Sequence, residues 1–175
     1  MRVISFLLCL LCAPLIHAHF VLQDPPNIGF DDDKENQAPC GSFDASKRTV
    51  VTKYPVDGGT LSMLTTDEAM DITINIAPAN GSMKFRTLMK LQIKGTGSFC
   101  LPSMPVAESL SGTDALMQVV AKSSDGTLYQ CAAVKFVPGT TSKVSADCRN
   151  STGLTVTMIS DDTMLGAKEN ATHSH

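Results

Sequence analysis

The clearest pattern along the chain is alternation. In Asp71-Ile72-Thr73-Ile74-Asn75-Ile76-Ala77 an isoleucine takes every second position and polar residues fill the gaps. Period two sets the three isoleucines on one face of an extended strand, toward a core, with Asp71, Thr73 and Asn75 toward water. Thr60-Leu61-Ser62-Met63-Leu64 repeats the pattern after a Gly58-Gly59 turn, and Leu154 to Ile159 repeats it late in the chain. The β-branched run Thr49-Val50-Val51-Thr52 predicts a short strand. Ala115 to Ala121 reads as a buried strand, Ser124-Asp125-Gly126-Thr127 as a hairpin turn, and Leu128 to Phe136 as the returning strand. Met83 to Ile93 fits helix or strand by its apolar spacing, and strand by its context. Phe99-Cys100-Leu101-Pro102 leads into a connection rich in proline and serine that runs to Gly112. Phe20 to Asp44 shows no period, and Asp24-Pro25-Pro26-Asn27 forces extended backbone and a turn. Six to eight short strands with almost no helical pattern predict an all-β protein, an antiparallel β-sandwich with a long ordered N-terminal arm.

Residues 1–18 follow another pattern. Arg2 precedes a short apolar run, Val3 to Cys12, then Pro14 and Ile16-His17-Ala18. This is the layout of a secretory signal, too short to span a bilayer, with cleavage between Ala18 and His19. Removing those 18 residues from 175 leaves 157, the size of one domain, placed at 19–160 and followed by a polar tail, 161–175. The formal charge of −3 becomes −4 as Arg2 leaves. With no basic stripe, nucleic acid is excluded as a partner. Trp is absent and aromatics make up only 5%, against the stacking platforms of many carbohydrate sites. No G-x-S-x-G element and no spaced acidic pair support hydrolase chemistry, so no catalytic residue is assigned. The polar tail offers neither a transmembrane helix nor a glycolipid-anchor signal. A secreted monomer, free or at the cell wall, is expected.

Cys9 and Cys12 leave with the signal, and Cys40, Cys100, Cys131 and Cys148 remain. In a secreted domain four cysteines imply two disulfides with three possible pairings, and the absence of a CxxC spacing argues against zinc. Cys100 and Cys131 both border strands near the hairpin. The pairing expected is therefore Cys100–Cys131, with Cys40–Cys148 tying the arm to the last strand region. Asn80-Gly81-Ser82, Asn150-Ser151-Thr152 and Asn170-Ala171-Thr172 are glycosylation sequons.

Cleavage after Ala18 makes His19 the first residue, which changes its chemistry. Its freed α-amine and its ring Nδ1 can close a chelate on one metal ion, and both give up protons to a metal near neutral pH. Two such nitrogens suit the tetragonal preference of Cu(II). Asp31-Asp32-Asp33, with Glu35 close behind, lacks the spaced ligands and glycine hinge of a calcium loop and reads as a solvated acidic loop. His173 and His175 lie in a tail that reads as frayed.

Several stretches together resemble one family. They are His19-Phe20-x-Leu22-x-x-Pro25-Pro26-x-x-Gly29-Phe30-Asp31-Asp32-Asp33, Ala38-Pro39-Cys40-Gly41, Gly95-x-Gly97-x-Phe99-Cys100-Leu101-Pro102, Asp125-Gly126-x-Leu128-Tyr129-x-Cys131-Ala132 and Cys148-x-Asn150-Ser151-Thr152-Gly153. They resemble the secreted fungal copper-acquisition-factor proteins, relatives of the lytic polysaccharide monooxygenases. The resemblance implies an immunoglobulin/fibronectin-III-like sandwich holding Cu(II) at a histidine brace, made by the N-terminal histidine and an internal one, with an aspartate near the metal. Residue by residue, only His19 carries over. No histidine lies between Gly59 and Ile72, and Ala133 stands where an aspartate is looked for after Cys131-Ala132. Asp67 or Glu68 can supply an oxygen donor instead, and Asp67 is the additional ligand expected. The resulting expectation is a non-enzymatic secreted protein in copper acquisition or handling at the cell surface, its partners a copper ion and a cell-wall or copper-transport component. The alternative is a metal-independent cell-wall or interaction module on the same scaffold. Polysaccharide monooxygenase activity ranks last.

Overall fold

The computed structural model describes residues 19–140 and 144–159. Residues 1–18, read as a signal from the sequence, Asn170, and the tail with His173 and His175 lie outside the described residues. Nine strands are present among the described residues: β1 Phe20–Asp24, β2 Thr52–Pro55, β3 Gly59–Thr65, β4 Ala69–Pro78, β5 Arg86–Lys94, β6 Gly97–Met104, β7 Asp114–Ser123, β8 Gly126–Val137 and β9 Thr155–Ile159. Single 3-10 turns occupy Asp32–Lys34 and Glu108–Leu110. The strands form a three-stranded sheet, β1-β3-β6, and a six-stranded sheet, β2-β8-β7-β4-β5-β9. No helix among the described residues is long and apolar enough to cross a membrane.

Alternation builds the core as the sequence implies. Ile72, Ile74 and Ile76 of β4 are buried, as are Leu61 and Met63 of β3. They meet Phe20 and Leu22 of β1, Phe99 of β6, and Ala132, Val134 and Phe136 of β8 in one apolar cluster between the sheets. Asp71 is exposed, whereas Asn75 is half-buried, donating to Gln118 Oε1 (2.9 Å) and accepting from Thr87 Oγ1 (2.9 Å).

Three elements differ from expectation. The strand placed at Thr49–Thr52 begins only at Thr52, leaves Val50 and Val51 exposed, and pairs parallel with β8. Among the described residues it is the one parallel pair, the others being antiparallel. The connection expected to follow Phe99-Cys100-Leu101-Pro102 starts later, since that stretch lies within β6, which runs on to Met104. Pro102 is tolerated there because β6 pairs with β3 alone and so lies at a sheet edge. Phe20–Asp24, read as irregular, is a strand because β3 offers it a partner, Phe20 opposite Thr65 and Leu22 opposite Met63.

The disulfides also differ: Cys40 joins Cys131 and Cys100 joins Cys148. Side-chain parity explains why the expected Cys100–Cys131 and Cys40–Cys148 bonds do not form. Ala132 and Val134 point into the core, so Cys131 lies on the outer face of the six-stranded sheet, packed with Leu116 and Cys40. Phe99 points into the core from the other side, so Cys100 lies on the outer face of the small sheet. Sheets packed face to face stand about 10 Å apart, beyond the reach of a disulfide.

The arm covers that outer face. Ile28 N–H donates to Cys131 O (2.8 Å) and Tyr129 N–H to Glu35 O (2.8 Å), so the arm pairs with the part of β8 that β2 leaves open. Gln118 Nε2 donates to Pro39 O (2.9 Å). Gly41 permits the close approach: its φ is +61°, and a Cβ there would lie 2.9 Å from Tyr129 O.

Candidate metal centre

His19 stands immediately before β1, and Thr66 immediately follows β3, so antiparallel pairing brings the two together. Thr66 N–H donates to His19 O (3.0 Å), and His19 N–H donates to Thr66 Oγ1 (3.0 Å). Thr66 lies within the Gly59–Ile72 stretch in which the resemblance looks for a second histidine. The imidazole turns the other way. Its Nε2 lies 3.2 Å from the carbonyl oxygen of Asp32 and 3.4 Å from Asp32 Oδ1, in the 3-10 turn of the arm. The His19 side chain is only 15% exposed, that of Asp32 63%.

Behind Asp32 sits Glu35, only 1% exposed. The arm reaches it over the edge of β8, and Gln130 receives it. Gln130 shares the inward parity of Ala132 and Val134, and its amide behaves like a piece of strand laid against the free edge of β1. Its Oε1 accepts from Leu22 N–H (2.9 Å), and its Nε2 donates to Phe20 O and to Glu35 Oε1 (2.6 Å). Glu35 Oε2 is buried with no hydrogen-bond partner among the described residues. Burial pushes the Glu35 carboxyl up to about 7; Gln130, the His19 ring and the Phe20 N–H pull it back in part, and Asp32 opposes them. One ligand atom each from His19, Asp32 and Glu35 lie within 4.8 Å of one another.

Asp67 is near but separate. It is 6% exposed, its N–H donates to Thr65 Oγ1 (3.0 Å), and Oδ2 is buried without a hydrogen-bond partner among the described residues. Burial raises its carboxyl; the Ser123 hydroxyl and the His19 ring lower it, and Asp125 raises it further. It is not one of the three clustered ligands. Glu68 is exposed, and Ala133 is buried with Cys131's outward parity, away from Gln130 and His19. Among the sequons, Asn80 is exposed with Oδ1 accepting from Ser82 N–H (3.1 Å), and exposed Asn150 accepts from Cys100 N–H (2.8 Å).

The residues at this site suit a divalent cation: one imidazole, two carboxylates, and a backbone nitrogen that becomes an amine if the chain is cut before His19. Sequence reasoning singled out His19 and Asp67, and of the two only His19 belongs to the cluster. It passed over Asp32 and Glu35, which look like part of a solvated acidic run. The available signal was the fixed distance from His19 to that run through the Asp24-Pro25-Pro26-Asn27 turn.

A family model described as copper acquisition factor BIM1-like matches residues 17–153. An uncharacterized protein of Aspergillus fumigatus is 32% identical over 175 residues, covering 93% of this chain and 70% of the relative. The lytic polysaccharide monooxygenase-like protein X325 of Yarrowia lipolytica is 26% identical over 167 residues, 88% of this chain and 62% of the relative. The chain therefore spans about two thirds of the length of these relatives. With a match over most of its length, the chain belongs to the copper acquisition factor BIM1-like family.

Proposed function

We propose that this chain is a secreted copper-binding protein that takes part in copper acquisition or handling at the cell surface, without enzymatic activity of its own. Cu(II), its cargo, is held mainly by His19 through the α-amine freed on cleavage after Ala18 and through ring Nδ1. The observation that carries this reading is the orientation of the ring. Donation from Nε2–H to Asp32 leaves the lone pair on Nδ1, the tautomer an amine chelate requires. Asp67, whose carboxylate feels the His19 ring, adds negative charge beside the chelate. Asn80 and Asn150 are exposed, so both sequons are open to glycosylation on passage through the secretory route. The two disulfides accord with it as well.

The competing reading is a metal-independent module at the cell wall, favoured by the lack of histidine between Gly59 and Ile72. Titrating Cu(II) into protein that starts at His19, with spin-resonance spectra recorded beside a His19→Ala variant, separates the two. Tight one-to-one binding with nitrogen couplings that the variant loses is expected. Weak binding indifferent to the substitution supports the competing reading. Terminal sequencing of secreted material should return His19 first.

A further inference from the structure

His19 has two ring nitrogens, and Nε2 meets the acidic arm at Asp32. We propose that His19 Nε2, Asp32 and Glu35 form a divalent-metal site that does not need the free α-amine. Its donors are one imidazole nitrogen and two carboxylates, a set that takes Zn(II) and similar ions in a tetrahedral site completed by water. It goes beyond the chelate just described, which uses the amine and Nδ1, and stands or falls independently of it.

Two independent observations support the site. The first is proximity. Nε2 lies 3.4 Å from Asp32 Oδ1, and one ligand atom each from His19, Asp32 and Glu35 lie within 4.8 Å of one another. Donors held about 2.0–2.2 Å from a tetrahedral zinc stand about 3.3–3.6 Å apart, so small side-chain rotations close the set. The second is Glu35 itself. A carboxylate that is 1% exposed keeps Oε2 without a hydrogen-bond partner among the described residues, while Oε1 is held by Gln130. A buried carboxylate oxygen left in this state is costly unless a proton or a metal ion meets it. Neutral imidazole with two carboxylates carries charge −2, which a divalent ion cancels. Calcium is disfavoured because it takes six to eight oxygens, and a nitrogen donor occupies one vertex here.

The site needs only that the ring carry its proton on Nδ1 instead of Nε2. An ion on Nε2 and a chelate on Nδ1 therefore compete for the lone pairs of one ring, so occupancy of the acidic site weakens copper binding at the amine.

The test uses protein beginning one glycine ahead of His19, in which the amine chelate is blocked. Zn(II) is titrated by calorimetry, and Co(II) is used to read coordination number from its visible spectrum. One-to-one binding with a four-coordinate Co(II) spectrum is expected. It should weaken at least about tenfold in Glu35→Gln and in Asp32→Asn and disappear in His19→Ala, since even outer-shell partners of a metal are worth 10–100-fold. Asp32 is exposed, so its variant keeps the fold and reads the site alone. An Asp57→Asn control should bind as the parent does. Absence of binding in the blocked protein, or binding that neither acidic variant changes, overturns the site while leaving the amine chelate untouched. Loss of Cu(II) binding in protein starting at His19, with Zn(II) binding intact in the blocked form, sinks the chelate and leaves this site standing.

Discussion

Glu35 is a carboxylic acid tucked between the arm and the sandwich, and burial holds its carboxyl near 7 against an ordinary 4.5. Between those values the folded, metal-free chain keeps a proton that the unfolded chain has lost. Stability from this group is therefore full below about pH 4.5 and is lost as pH rises through about 7. The loss is about 3 kcal/mol if the whole shift is realised. Urea unfolding in chelator, compared with Glu35→Gln, should show the variant gaining on the parent as pH rises from about 5 to about 8. A difference that stays flat with pH would mean that the acid ionises at its ordinary value. Nothing local in the sequence marks Glu35 for burial. It closes an acidic run, and the glutamine that receives it lies 95 residues downstream. His19 was legible because its chemistry comes from a cleavage motif beside it. Asp67 was expected as a substitute oxygen donor, but its separation from the clustered carboxylates depends on which way β3 leaves the sheet.

At the level of elements, β1 is held on one side by β3 and on the other by the Gln130 amide. Gln130→Ala leaves Leu22 N–H, Phe20 O and Glu35 Oε1 without that partner in a buried place. The expected cost is about 2–4 kcal/mol, read by chemical denaturation, because several orphaned groups each carry a desolvation penalty. Loss within the range of an ordinary surface substitution would argue that water replaces the amide. The strands themselves were readable wherever alternation was clean, as in β4 and β3. They were misread where pairing overrides local preference. Val50 and Val51 have strand propensity but no partner, while β6 contains a proline and forms anyway at an edge. The parallel pairing of β2 could not be read, since it follows from the path of the arm and not from any residue in β2.

The whole molecule is a sandwich with one disulfide on each outer face. Cys40–Cys131 clasps the arm onto β8, and Cys100–Cys148 clasps the chain before β9 onto β6. Peptide mapping without reduction should recover these two links. Replacing both Cys40 and Cys131 by serine should cost about 2–5 kcal/mol and weaken metal binding, because the same arm carries Asp32 and Glu35. The Cys100, Cys148 double variant should lose comparable stability with metal affinity unchanged. Equal loss of affinity in both would mean that the arm is not the part that matters. The correct pairing was within reach of the sequence: once Phe99 and Val134 are assigned to the core, alternation sends Cys100 and Cys131 to opposite outsides. The amide laid against β1 also imposes an order on biosynthesis. Phe20 leaves the ribosome 110 residues ahead of the Gln130 whose amide caps it. A nascent chain thus leaves the edge of β1 and the Glu35 carboxyl uncapped until the β7–β8 hairpin arrives to fasten them.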